Sequence, residues 1–162
     1  MAVLKLYLDE FDEVDYDLIA IHSSLEEYRL AYFINQELPI ILSKSKDEIG
    51  VTVKEGEAYF SKYIFEDQNN DVLWSLIQNK NEIVVQKKST GQNLFLNTNV
   101  EIATKVFLIS DLKKVDYFLK IENNKTTLNT EEILNKLKKI DRISAAYAVV
   151  PDTIKSKNNL IF

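Results

Sequence analysis

The chain alternates between runs that are apolar on both sides and short clusters of turn formers. In DLIAIH, Asp17 to His22, Leu18 and Ala20 fall on one side of an extended chain and Ile19 and Ile21 on the other. That pattern predicts a strand buried on both faces. Ser24 and Glu27 then have capping-box spacing, and Leu25, Tyr28, Ala31, Tyr32 and Asn35 recur on one helical face until Pro39, which predicts a helix ending there. Residues Pro39 to Leu42 begin another short strand. The segments YFSKYIFE, Tyr59 to Glu66, and VLWSLIQ, Val72 to Gln78, flank DQNND and predict a hairpin. Asn79, Lys80 and Asn81 predict a second turn into EIVVQ, making a three-stranded antiparallel meander with aromatics on both faces. STGQNLFLNTN predicts a loop with a short strand at Leu94 to Leu96.

Farther on, KVFLIS leads through DLKK into a strand with Tyr117, Leu119 and Ile121 on one face and Asp116, Phe118 and Lys120 on the other. After the loop ENNKTTLN, residues 130–140 predict a second helix. Glu131 and Glu132 sit at its positive end, Lys136, Lys138 and Lys139 near its negative end, and Ile133, Leu134, Leu137 and Ile140 form its core face. ISAAYAVV, Ile143 to Val150, is apolar or small on both sides and predicts a central strand. These elements predict an α+β fold: residues 1–151 as a single two-layer domain, a mostly antiparallel sheet of about six or seven strands with two helices packed on it. Residues 152–162 are expected to form a flexible C-terminal tail.

Composition narrows the function. A chain of 162 residues, 46% hydrophobic, with eight Tyr, eight Phe and one Trp, fills one sizeable core. Three Gly and two Pro exclude a collagen-like or low-complexity chain. With no Cys there is no disulfide, thiolate nucleophile or Cys-ligated zinc, which suits a reducing compartment and makes the cytoplasm the expected location. MAVLKLYLDEFDEVD turns acidic after eight residues, so no signal peptide and no membrane association are expected. Residues 1–39 hold nine acids and two bases, net −7; residues 40–104 nine and seven, net −2; residues 105–162 seven and eleven, net +4. This gradient, within a chain of net charge −5, makes no nucleic-acid footprint.

The tripeptide VDY occurs twice, as Val14, Asp15, Tyr16 and as Val115, Asp116, Tyr117, each before an apolar strand. Ile109, Ser110 and Asp111 precede the second copy, and Ile109 to Tyr117 resembles the motif that names the IPExxxVDY family, small bacterial proteins without an assigned activity. Four of the six specified letters match, at Ile109, Val115, Asp116 and Tyr117; Asp111 keeps a carboxylate where the pattern has Glu. Ser110 replaces the Pro and loses its fixed backbone angle. The resemblance spans nine positions and implies no catalytic residue. Physically, Asp111 and Asp116 bracket a four-residue connection, where aspartates are expected to accept bonds from neighbouring backbone N–H groups and hold a turn. Tyr117 is expected to bury its ring and give its hydroxyl a partner.

Little in the sequence supports catalysis. LDEFDEVDYD packs six carboxylates, Asp9 to Asp17, into nine residues, but it lacks the glycine and alternation of a calcium loop, so no metal is expected. His22 is the only histidine and no GxSxG elbow accompanies it. Gly50, Gly56 and Gly91 are isolated, which excludes phosphate-loop and dinucleotide fingerprints, and no cofactor is expected. The chain therefore reads as no enzyme but a noncatalytic protein-binding or self-assembly module, using Tyr59, Tyr63 and Trp74 or an exposed sheet edge. One alternative is a small-molecule binder or small enzyme with a pocket near His22, Asp15, Asp17 and the VDY segments. Another is RNA binding through Lys113, Lys114, Lys120 and Lys125 beside Tyr117, which the acidic balance disfavours.

Overall fold

A computed structural model describes residues 16–88, 99–122 and 129–162. In chain order the elements are β1 (Tyr16–Ser23), α1 (Glu27–Glu37), β2 (Ser43–Lys44), β3 (Ile49–Val53), β4 (Gly56–Phe60), β5 (Lys62–Asp67), β6 (Val72–Gln78), β7 (Lys80–Lys88), β8 (Asn99–Phe107), β9 (Tyr117–Glu122), α2 (Thr130–Leu137) and β10 (Ile143–Val149). Short 3-10 turns occupy Ser110–Leu112, Pro151–Thr153 and Lys157–Leu160. Six strands form an antiparallel sheet in the order β10-β1-β9-β6-β5-β2, and β3–β4 and β7–β8 are separate two-stranded ribbons. The fold class is α+β, as the pattern predicts.

The sheet is apolar on both faces, so it needs cover on both. On one face Ile19, Ile21, Trp74, Leu76, Leu119 and Ile121 pack against Leu30 and Ile34 of α1 and Ile133 and Leu137 of α2. On the other, Leu18, Ala20, Ile77 and Phe118 pack against Ala58 and Phe60 of the β3–β4 ribbon. Ile109 and Val115 from the β8–β9 connection and Ile154 and Leu160 join that second core. A third layer is thus added to the two expected.

Residues 152–162, expected to be a flexible tail, form part of this layer. Ile154 and Leu160 are buried, and Lys120, itself only 3% exposed, donates to the Leu160 carbonyl at 2.6 Å. The Lys120 ammonium also lies 3.1 Å from Glu122 and over the Tyr16 and Phe162 rings, so this buried charge is met by a carbonyl, a carboxylate and two ring faces.

Other expectations shift. Strand β10 lies at the edge of the sheet, not its centre, with Ser144, Tyr147 and Ala148 exposed. Asn79 does not turn β6 back on itself; the chain leaves the sheet there, and β7 pairs with β8. In α1 the buried face is Leu30, Ala31 and Ile34, whereas Tyr28 and Tyr32 are 58% and 59% exposed. Aliphatic side chains take the dry face, and tyrosines keep their hydroxyls in water. The capping box does not form: Glu26 is the helix N-cap, and Glu27 bonds the Ser61 hydroxyl. The β5–β6 hairpin forms about DQNND, although Tyr59 and Phe60 belong to β4, and α2 starts at the expected Thr130 but ends at Leu137, with Asn129 accepting from the Glu132 N–H as its cap. Leu94 to Leu96, Asp15 and most of the acidic run lie outside the described residues. No helix among the described residues is long and apolar enough to cross a membrane.

Candidate functional site

Asn79 occupies the single position between β6 and β7 and is wholly buried. Its amide donates to the carbonyls of Leu112 and Val115, at 2.9 and 2.8 Å, and its side-chain oxygen accepts from the Ile109 N–H at 2.8 Å. Its backbone donates to the Asp116 carbonyl and accepts from the Leu108 N–H. One side chain therefore satisfies three polar groups of a buried loop that would otherwise be left dry. The loop adds its own 3-10 bonds, from Leu112 N to Ile109 O and from Val115 N to Leu112 O.

Because the loop closes itself, the two motif carboxylates are directed outward instead of holding the local turn expected of them. One Asp116 oxygen accepts from the Ser23 N–H at 2.9 Å, 93 residues away, and the other pairs with the Lys80 ammonium at 2.8 Å. Asp111 accepts from the Lys155 N–H at 2.8 Å and the Ser156 hydroxyl at 3.1 Å, anchoring the segment that carries Ile154 and Leu160. The Lys155 N–H, chiefly, holds the Asp111 carboxyl below the usual carboxylate range. Tyr117 buries its ring on the helix side and donates to the Leu25 carbonyl at 2.7 Å. Burial, then the nearby Glu27 carboxylate, pushes its phenol up to about 12. Ile109 and Val115 fill the second core. The motif thus joins β1, the β6–β7 junction, the β1–α1 connection and residues 154–160, and both oxygens of each carboxylate are engaged.

The remaining sequence candidates disperse. His22 is partly exposed, its Nε2 2.9 Å from the Tyr147 hydroxyl on β10. Asp17 lies at the start of β1, and Asp15 is outside the described residues. Trp74 is core, 4% exposed, and Tyr63 is half-buried against the same cluster. A tryptophan read as an interface anchor is as easily a core filler, because burial is a property of the sheet face and not of the residue type. Tyr59 alone of the three is well exposed, its hydroxyl donating to Glu57. Lys120 is buried on the face opposite Tyr117, so these two do not share a surface, and Lys125 is outside the described residues.

Two clefts among the described residues are lined by neither His22 nor the second VDY. One of about 310 Å³ sits at the β5–β6 turn, lined by Glu66, Asp67 and Asp71 among others. The other, about 400 Å³, lies between α1 and the turn from α2 into β10. No group of three or more His, Asp or Glu among the described residues could hold a metal ion.

The two edges of the main sheet differ. At one end β2 is two exposed residues long and ends in a lysine. At the other, β10 runs seven residues, ISAAYAV, with no charge and no proline, paired on its inner side with β1 and with nothing outside it among the described residues. Comparison with known protein families, with characterised proteins and with solved structures finds no match to this chain.

Proposed function

We propose that this protein is a noncatalytic assembly module that pairs with a second copy of itself along β10. An outer edge with no pairing strand among the described residues is the observation that carries the reading: a seven-residue strand without lysine, proline or charge offers a row of backbone donors and acceptors. Natural sheets usually blunt such edges, as the short lysine-bearing β2 does here. A second copy suits the edge best. Two β10 strands related by a two-fold axis run antiparallel, and an uncharged strand meets itself without repulsion. Small side chains at Ser144, Ala145, Ala146 and Ala148 leave room for close approach. The engagement of Asp111 and Asp116 in structural bonds supports a noncatalytic role, since a general base needs a free acceptor.

Light scattering over a concentration series tests this. The protein is expected to move from the mass of one chain to that of two as concentration rises, and Ala148→Lys or Ser144→Lys, both at exposed positions, to stay monomeric with unchanged circular dichroism. A wild-type protein of single-chain mass at every concentration defeats the proposal, as does dimerisation that both lysine variants retain.

A further inference from the structure

The cleft between α1 and the turn into β10 holds an unusual set of side chains. The sequence has two arginines among 20 basic residues, Arg29 and Arg142, and both line this one cleft, with Lys139 beside them. Glu37 and Asp141 line it too, so three bases and two acids leave a local charge of +1 in a chain of −5. Yet among the described residues neither guanidinium forms an ion pair or hydrogen bond. Each arginine therefore presents a fork of donors with no internal acceptor, in a geometry that matches carboxylate or phosphate oxygens.

The forks stand on fixed supports. Arg29 projects from the first turn of α1, whose Leu30 and Ile34 are locked in the core. Arg142 is held by its own carbonyl, which accepts from the Ser23 hydroxyl at 2.9 Å. Phe33, half-buried, and the buried Ile140 give the cleft an apolar wall. A volume of about 400 Å³ lies within the range of small-ligand sites.

We infer that this cleft binds a small organic oxyanion, a phosphate ester or polycarboxylate, its oxygens held by Arg29 and Arg142 and its carbon skeleton against Phe33 and Ile140. The inference does not depend on pairing through β10, although Arg142 immediately precedes that strand.

Backbone amide NMR shifts, followed at fixed ionic strength during titration with inorganic phosphate, citrate and adenosine monophosphate, supply the test. At least one organic probe is expected to give saturable shifts confined to residues 29–37 and 139–142, and to bind more tightly than inorganic phosphate. Arg29→Gln and Arg142→Gln should each weaken that binding about tenfold or more, and Arg29→Lys should weaken it because the fork is lost while the charge stays. Lys138→Gln, exposed and outside the cleft, should leave it unchanged. The inference falls if none of the three probes gives a saturable shift, if the shifts map elsewhere, or if the double variant Arg29→Gln/Arg142→Gln binds as the wild type does.

Discussion

Asn79 and Asp116 both hold the motif loop, but by bonds of different worth. Asn79 is wholly buried, and Asn79→Ala would leave the Ile109 N–H and the Leu112 and Val115 carbonyls without that partner. Asn79→Ala should therefore lower stability by about 2–4 kcal/mol. Asp116→Ala loses the Ser23 N–H contact and a pair with Lys80 that water screens, and should lower it by about 1–2 kcal/mol. Urea denaturation of both variants checks the order; a larger loss for Asp116 would mean that Asn79 is not the hub. Tyr117 adds a pH signature. Its folded phenol is raised to about 12, so its contribution is complete below about pH 10, where the unfolded phenol ionises, and is lost as pH rises through 12. Wild-type stability should fall between those values more steeply than that of Tyr117→Phe, read by chemical denaturation at each pH; parallel profiles would contradict the buried phenol. A partner for Tyr117 was legible in the sequence because a ring ahead of an apolar strand needs one. Asn79 was not, because a buried amide and a turn amide look alike between two polar neighbours.

Elements were legible where periodicity met a local stop signal. The β5–β6 hairpin had DQNND, and Asp71 there adopts a left-handed φ of 55°, which aspartate tolerates. The core face of α2 was set by Ile133, Leu134 and Leu137 at helical spacing, while Ile140 enters the same core from beyond the helix end. Where the choice lay between two competing partners, pattern failed. Strand β10 reads as central because alanines fit either a packed interior or an exposed edge. Residues 152–162 read as tail because Ile154 and Leu160 are isolated apolar residues in a polar segment, and their dock is made by residues more than 35 positions earlier, Leu108, Asp111 and Lys120 among them. Leu160→Ala should therefore cost about 2–4 kcal/mol, the range for emptying a buried leucine site. Thermal or urea unfolding checks it, and a loss below about 0.5 kcal/mol, typical of surface substitutions, would return the segment to a loose tail.

At the scale of the whole molecule, three layers close both faces of the main sheet, and among the described residues no strand pairs with the outer edge of β10. The α+β class followed from counting strands and helices, whereas strand order did not, because which strand pairs with β1 is decided by contacts far apart in sequence. The arginine cleft was equally hidden: Arg29 and Arg142 meet only once α1 and the α2–β10 turn pack together. Amide hydrogen exchange, resolved by residue at a low and a high protein concentration, tests the assembly reading most directly. Exchange across Ile143–Val149 is expected to slow as concentration rises while β2 and the exposed face of α1 are unchanged. Equal exchange in β10 at both concentrations, or new protection centred on Tyr59 and its ribbon instead, would contradict it.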